Sequence, residues 1–220
     1  SAPGSPGASQ LDSRSRAGHP CQMDEISDTA GLRARLGAER SVLVPTMGAL
    51  HEGHLSLIDL GRHAADRLGL PLAASVFVNP DQFNDKSDLD DYPRPLEADL
   101  GALRDRGVDI AFVPDARAIY PPDDPGAAPQ PEVPPVGRLP GLEDAYRPGH
   151  FPGVCRVVSR LFDLFTPAAA AFGEKDWQQS RVVGAMCAAQ GREIEIIVGP
   201  TVREHDGVAM SSRNTHLSAE

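Results

Sequence analysis

The chain has 220 residues, 40% of them apolar, and a formal charge of -10. That is enough for one sizeable domain with a full core, and the acidic balance excludes a general nucleic-acid binder, which needs a basic face. No apolar run is long enough to cross a bilayer, so no membrane partner is expected, while a nucleotide needs only a local positive patch and stays possible.

Residues 1–22 are rich in Ser, Gly, Pro and Ala with no apolar period, and are expected to be a disordered tail ahead of a domain at 23–220. From Met23 a short helix, Ile26 to Leu36, leads into a first strand at Ser41–Val44. A helix from His54 to about Leu68 follows, ending near Gly69, then a second strand at Leu72–Val78. Leu96, Leu100 and Leu103 give a helix over Pro95–Gly107, and Asp109–Val113 is a third strand. Residues 121 to 148 hold 9 of the 21 prolines and make an irregular excursion, on composition equally a floppy linker or an ordered loop. His150 to Phe165 reads as an amphipathic helix, Ala168–Phe172 as a strand, Asp176 to Gln190 as a helix and Glu193–Val198 as a fifth strand. Strands alternating with helices imply a parallel sheet covered on both faces, with ligands beyond the carboxyl ends of the strands.

Four segments follow those strand ends. The first, Val44-Pro45-Thr46-Met47-Gly48-Ala49-Leu50-His51-Glu52-Gly53-His54, is a strand, a glycine-containing turn and a helix start. Free N–H groups and the positive end of the helix dipole favour an anion there, and Gly48 and Gly53 let a phosphate approach the backbone. His51 and His54, three apart, can both donate to that phosphate. A zinc pair would use the same spacing, but no third ligand accompanies it. The second segment carries Asn79 and Gln82, uncharged amides suited to hydroxyl and carbonyl groups, although Asn-Pro also starts turns. In the third, Gly173 permits a tight exit, Lys175 offers a point charge to phosphate, Asp176 is a helix cap or a carboxylate on the Mg²⁺ side, and Gln179 faces the same pocket one turn on. In the fourth, Ser211, Ser212 and Arg213 can form a phosphate clamp of two hydroxyls and a guanidinium. Cys21, Cys155 and Cys187 are odd in number with no Cys-x-x-Cys pair, which fits a reducing cytoplasm; the last two read as core fillers.

Taken with Tyr92-Pro93-Arg94, Arg147-Pro148-Gly149-His150-Phe151 and Met210-Ser211-Ser212-Arg213-Asn214, these stretches occur in the order found in pantothenate synthetases (pantoate–β-alanine ligases), and from about residue 24 onward the chain resembles that family. The histidine motif alone would also suit other nucleotidyltransferases and class I aminoacyl-tRNA synthetases. The resemblance implies a Rossmann-like α/β fold, and a reaction in which pantoate and ATP·Mg²⁺ give pantoyl adenylate before β-alanine displaces AMP. By resemblance, His51 and His54 line the triphosphate. Lys175, Ser211, Ser212 and Arg213 hold phosphates, and Met47, Gly48, Gly173 and Asp176 complete the ATP site. Asn79, Gln82, Gln179, His150 and Arg147 serve pantoate, Asp99 is the carboxylate expected nearest Mg²⁺, and a homodimer is the expected assembly. Asp99 follows Ala98 where the family often shows more acidic residues, so Mg²⁺ is expected to rest mainly on ATP oxygens. Family members continue past the Ser-Ser-Arg-Asn motif into a smaller domain covering the nucleotide, whereas this sequence stops at Glu220. The expectation is therefore a domain without that lid, binding ligands but turning over slowly. The alternatives are another nucleotidyltransferase with the same histidine motif and a nucleotide-binding module without activity.

Overall fold

A computed structural model of the chain describes residues 23–139 and 141–214. The expected tail at 1–22 lies outside them. The chain opens with strand β1 (Asp24–Ile26) and helix α1 (Thr29–Leu36), where a longer helix from Ile26 was expected. Asp28 is the reason: its carboxylate accepts the Gly31 N–H at 2.8 Å and starts the helix at Thr29, which leaves the preceding residues free to pair. Next come β2 (Val42–Thr46), α2 (Glu52–Leu68), β3 (Leu72–Val76), and the short α3 (Lys86–Asp90). α4 (Leu96–Asp105), β4 (Ile110–Phe112), α5 (Ala116–Ile119), α6 (Glu143–Tyr146) and α7 (His150–Phe165) follow. β5 (Ala169–Gly173), α8 (Trp177–Ala189) and β6 (Glu195–Gly199) complete the order. The sheet has six strands where five were expected.

Within the sheet every pairing among the described residues is parallel, in the order β1-β4-β3-β2-β5-β6. From β2 the chain builds outward through β3 to β4, then returns to the other side of β2 with β5 and β6. The reversal lies between β2 and β5, the place where doubly wound sheets bind ligands. Those two strands pair only at Val42–Ala169 and Leu43–Ala170. Pro45, further along β2, has no N–H with which to continue the ladder, and a crevice opens beyond it.

Side-chain alternation divides the core. Leu43, Ala73, Ile110 and Phe112 face α1, α7 and α8, whereas Val42, Val44, Leu72, Ala74 and Ala111 face α2 and α4. α7 is buried over thirteen of its sixteen residues instead of along one stripe. It lies between the sheet and the proline-rich excursion, so both sides are covered. Gly153 lets α7 come that close: a Cβ there would stand 2.2 Å from the Asp81 carbonyl oxygen.

Of the two alternatives, the described part of the excursion takes that of an ordered loop, tied down by side chains of α7 and α8. Arg160 on α7 donates to the carbonyls of Ile119 (3.1 Å) and Ala127 (2.8 Å), and Arg156 donates to that of Ala128 (3.1 Å). Gln178 on α8 donates to the Val136 carbonyl at 2.8 Å. Cys155 and Cys187 are buried in the core, where burial pushes the Cys155 thiol up to about 11 and holds it inert. Among the described residues no helix is long and apolar enough to cross a membrane.

Candidate functional site

The site grows from the end of β2. Thr46 donates its hydroxyl to the Ser75 carbonyl (2.7 Å) and accepts the Gly48 N–H (3.2 Å), which fixes where the strand stops. The turn then uses two left-handed residues, Gly48 (φ +78°) and Ala49 (φ +51°). Asp99 on α4 holds that turn: its two carboxylate oxygens accept the N–H groups of Ala49 (2.8 Å) and Leu50 (2.7 Å). A side chain at Gly48 would collide with Asp99, its Cβ 2.8 Å from Oδ2.

The fold thus settles where Asp99, the carboxylate expected nearest Mg²⁺, stands. Buried and committed through both oxygens to backbone donors, it shapes the histidine turn and does not line the crevice. Among the described residues no group of three or more His, Cys, Asp and Glu is gathered to hold a metal ion. The described side chains therefore do not make a dedicated Mg²⁺ cage. Gly48 likewise belongs to the turn behind the crevice wall.

His51 caps α2, and its Nδ1 accepts the Gly53 N–H at 3.1 Å. His54 answers it, Nδ1 accepting the His51 N–H at 3.4 Å, with ring centroids 4.1 Å apart. A neutral imidazole whose Nδ1 is an acceptor carries its proton on Nε2. Both rings are held neutral: burial, then the neighbouring His51 and Lys175, lower His54 to about 3, and burial followed by Lys175 lowers His51. The pair therefore presents Nε2–H donors without positive charge. Gly53 is required by this geometry, because a Cβ there would lie 2.9 Å from the His51 ring.

These rings border a cavity of about 170 Å³ between the ends of β2 and β5. Met47, Asn79, Gln82, Gly173, Lys175, Asp176 and Gln179 are also on its wall, so the strand-end segments converge as expected. An adjoining cavity of about 90 Å³ shares the two histidines, Gln82 and Lys175, and adds Arg147, His150, Ser211, Ser212 and Arg213. The first is apolar at its base, where Val158 and Leu161 of α7 meet Phe172, and the second is polar.

Several expected ligand groups already have partners. Asn79 is 1% exposed and spends its amide on other protein groups. Arg213 makes a two-point contact with Asp88, Nε to Oδ1 at 3.0 Å and Nη2 to Oδ2 at 2.8 Å, so a phosphate would have to displace that carboxylate. Ser212 donates to the Tyr92 hydroxyl at 3.2 Å. His150 has the tautomer opposite to the helix pair. Its Nδ1 donates to the Gln82 carbonyl at 2.9 Å, and its Nε2 faces Arg147 Nη1 at 3.4 Å and Glu143 at 3.5 Å. Burial is the main cause lowering its pKa. Arg147 is paired with Glu143 at 2.7 Å.

Sequence reasoning assigned no role to Tyr92, which borders both cavities, or to Glu143, which borders the polar one. For Tyr92 the available signal was its place in Tyr92-Pro93-Arg94. Glu143 had none beyond its spacing four residues before Arg147.

Comparison with known proteins fits this geometry. The family model described as pantoate-beta-alanine ligase matches residues 22–220. The pantothenate synthetase of Acidiphilium cryptum is 48% identical over 195 residues, covering 87% of this chain and 67% of that protein. The crystal structure of pantothenate synthetase from Thermus thermophilus superposes with a TM-score of 0.80 at 46% identity, over 90% of this chain and 68% of that one. That of the Francisella tularensis pantoate-beta-alanine ligase, complexed with beta-gamma ATP and beta-alanine, gives a TM-score of 0.81 at 33% identity, over 90% and 74%. The chain spans about two thirds of the length of the first two. With a parallel sheet that reverses at the histidine crevice and a family match running through the whole described region, the chain belongs to the pantoate-beta-alanine ligase family.

Proposed function

We propose that this ligase makes pantothenate in two steps inside the joined cavities. In the first, a pantoate carboxylate oxygen attacks the α-phosphorus of ATP; the new P–O bond forms as the bond to pyrophosphate breaks. In the second, the β-alanine amine attacks the pantoyl carbonyl carbon, AMP leaves with the bridging oxygen, and the amine sheds its proton. Neither step needs a protein nucleophile, so the chain's contribution is positioning and stabilisation of moving charge.

The observation that carries this reading is the neutral histidine pair at the start of α2, both Nδ1 atoms occupied by backbone N–H groups and Lys175 on the same wall. Donors held this way need no reorganisation when charge builds on the phosphates. Lys175 supplies the positive charge that the histidines lack. Ser211, Ser212 and Arg213 close on the outgoing pyrophosphate, and Met47, Gly173 and Asp176 border the nucleotide. Gln82 and Gln179 orient pantoate over the apolar base, with Arg147 and His150 at the polar end. Asn79 acts from behind by holding Gln82. Mg²⁺ would enter with ATP, resting on phosphate oxygens as that ion prefers. ATP and β-alanine, the ligands named for the Francisella relative, are the substrates this reading requires. A cytoplasmic homodimer, with the domain at 23–220, belongs to the same proposal; light scattering tests the assembly.

The deciding experiment follows AMP and pyrophosphate release from ATP·Mg²⁺ with pantoate present or absent, with and without β-alanine, identifying products by mass. Pantoate-dependent AMP and a pantothenate mass are expected. Hydrolysis of ATP indifferent to pantoate would sink the two-step scheme.

A further inference from the structure

We propose that Tyr120 is a positioning residue for pantoate recognition: its hydroxyl steadies the Asn79 amide, and that amide sets which end of the Gln82 amide faces the cavity. The inference rests on the reading that Gln82 contacts pantoate.

Asn79 is a saturated relay. Its Oδ1 accepts from the Tyr120 hydroxyl at 2.9 Å and from the Asp81 N–H at 3.3 Å. Its Nδ2 donates to the Gly153 carbonyl at 3.2 Å and to Gln82 Oε1 at 3.1 Å. A primary amide offers two acceptor sites and two donor hydrogens, and all four are used. Turning the amide over would set its NH₂ against the Asp81 N–H and its oxygen against the Gly153 carbonyl. The orientation is thereby forced, and Gln82 must turn Oε1 inward to meet Asn79. Its Nε2 is left on the Met47 side, 3.0 Å from Sδ, at the wall both cavities share. The cavity therefore meets Gln82 as an N–H donor, the end that a carboxylate or hydroxyl oxygen requires.

Tyr120 itself is held from two sides. Its ring stands edge-on to Phe77 with centroids 6.3 Å apart, and the Arg156 guanidinium lies 4.3 Å from its centroid while also pairing with Asp81 at 2.8 Å. Burial raises the phenol's pKa, so the hydroxyl stays a donor. The residue is not part of the cavity wall, and any effect on ligand must pass through the relay.

The test measures pantoate affinity by calorimetry, with a non-hydrolysable ATP analogue present, for Tyr120→Phe, Gln82→Ala and the double variant. Losing one neutral hydrogen bond should weaken pantoate roughly fivefold in Tyr120→Phe, with the affinity for the analogue unchanged. The double variant should bind pantoate no more weakly than Gln82→Ala alone, because Tyr120 acts only through Gln82. Equal loss of both ligands, or independent addition of the two penalties, would mark Tyr120 as merely structural and overturn the relay. A normal pantoate affinity in Tyr120→Phe, with a weakened one in Gln82→Ala, would overturn the relay and spare the site. A normal affinity in Gln82→Ala would remove the reading on which both stand.

Discussion

The two sides of the polar cavity are built in opposite ways. On one side, His51 and His54 are fixed by N–H groups no more than three residues away, at the start of a seventeen-residue helix. On the other, Ser211, Ser212 and Arg213 end a segment whose regular pairing among the described residues is a single bridge, Arg203 with Ala209. That segment reaches back to α3 and the Tyr92 turn through contacts with Asp88 and Tyr92. The histidine side is complete before any ligand arrives. On the proposed reading, the arginine side exchanges one anion, Asp88, for a phosphate. Preorganised donors serve the transition state, while an exchangeable clamp can take and release a charged product.

Four measurements would break or sharpen that contrast. The largest effect is expected on the fixed side: His54→Ala or Lys175→Ala should slow adenylate formation by ~10²-fold or more in single-turnover assays, the usual cost of losing one charge-stabilising donor. A parental rate in either would mean that the fixed wall is not where the chemistry occurs. Gly53→Ala should follow, with about a tenfold loss, since the new methyl evicts the His51 ring from its cap without removing either imidazole. An unaffected rate there would show that the rings need not be held.

A smaller change of the opposite sign is expected on the exchangeable side. Asp88→Asn frees Arg213, and because the pair is 40% exposed on both sides its worth is modest. The KM for ATP should fall about threefold, an amount set by the roughly 1 kcal/mol such pairs reach at most. No change would separate Arg213 from the phosphates.

The smallest effect is on pH dependence. With both histidines held below their usual range, the adenylation rate should lack an acid limb near pH 6.5. Stability behaves differently. The unfolded chain takes up protons on these rings below about pH 6.5 and the folded one resists until about 3 at His54, so stability falls as pH drops through that window. Urea melts at about pH 7 and about pH 5 check the sign, with the lower midpoint expected at the more acid pH.

Much of this was readable from the residues because the informative patterns were local. Strand, turn and helix followed one another within a dozen residues around Gly48, and the strand-end rule then gathered Gln82, Lys175 and Arg213 onto one edge. What escaped depended on distance in the chain. β1 is three residues long, too short to display a period, and pairs only with β4. Asp99 was placed nearest Mg²⁺ by the family resemblance; that its oxygens accept backbone N–H groups fifty residues earlier is visible only in the fold. The Asp88–Arg213 pair spans 125 positions and has no sequence mark at all. Tyr120 ended a short helix in an unremarkable stretch, and its partner lay 41 residues back.

The seam between β2 and β5 has a consequence for how the molecule comes together. One lip carries the histidines by residue 54, and the other does not exist until β5 has emerged beyond residue 173. Until then β2, which ends up in the middle of the sheet, is an edge, and the ligand has half a socket. Whatever binds across the seam holds together parts of the chain more than a hundred residues apart. Ligand saturation should consequently act as a clasp on the whole fold: at roughly a hundredfold excess over Kd, linkage alone adds about 2.7 kcal/mol. Nascent chains released before β5 should be unable to draw on it.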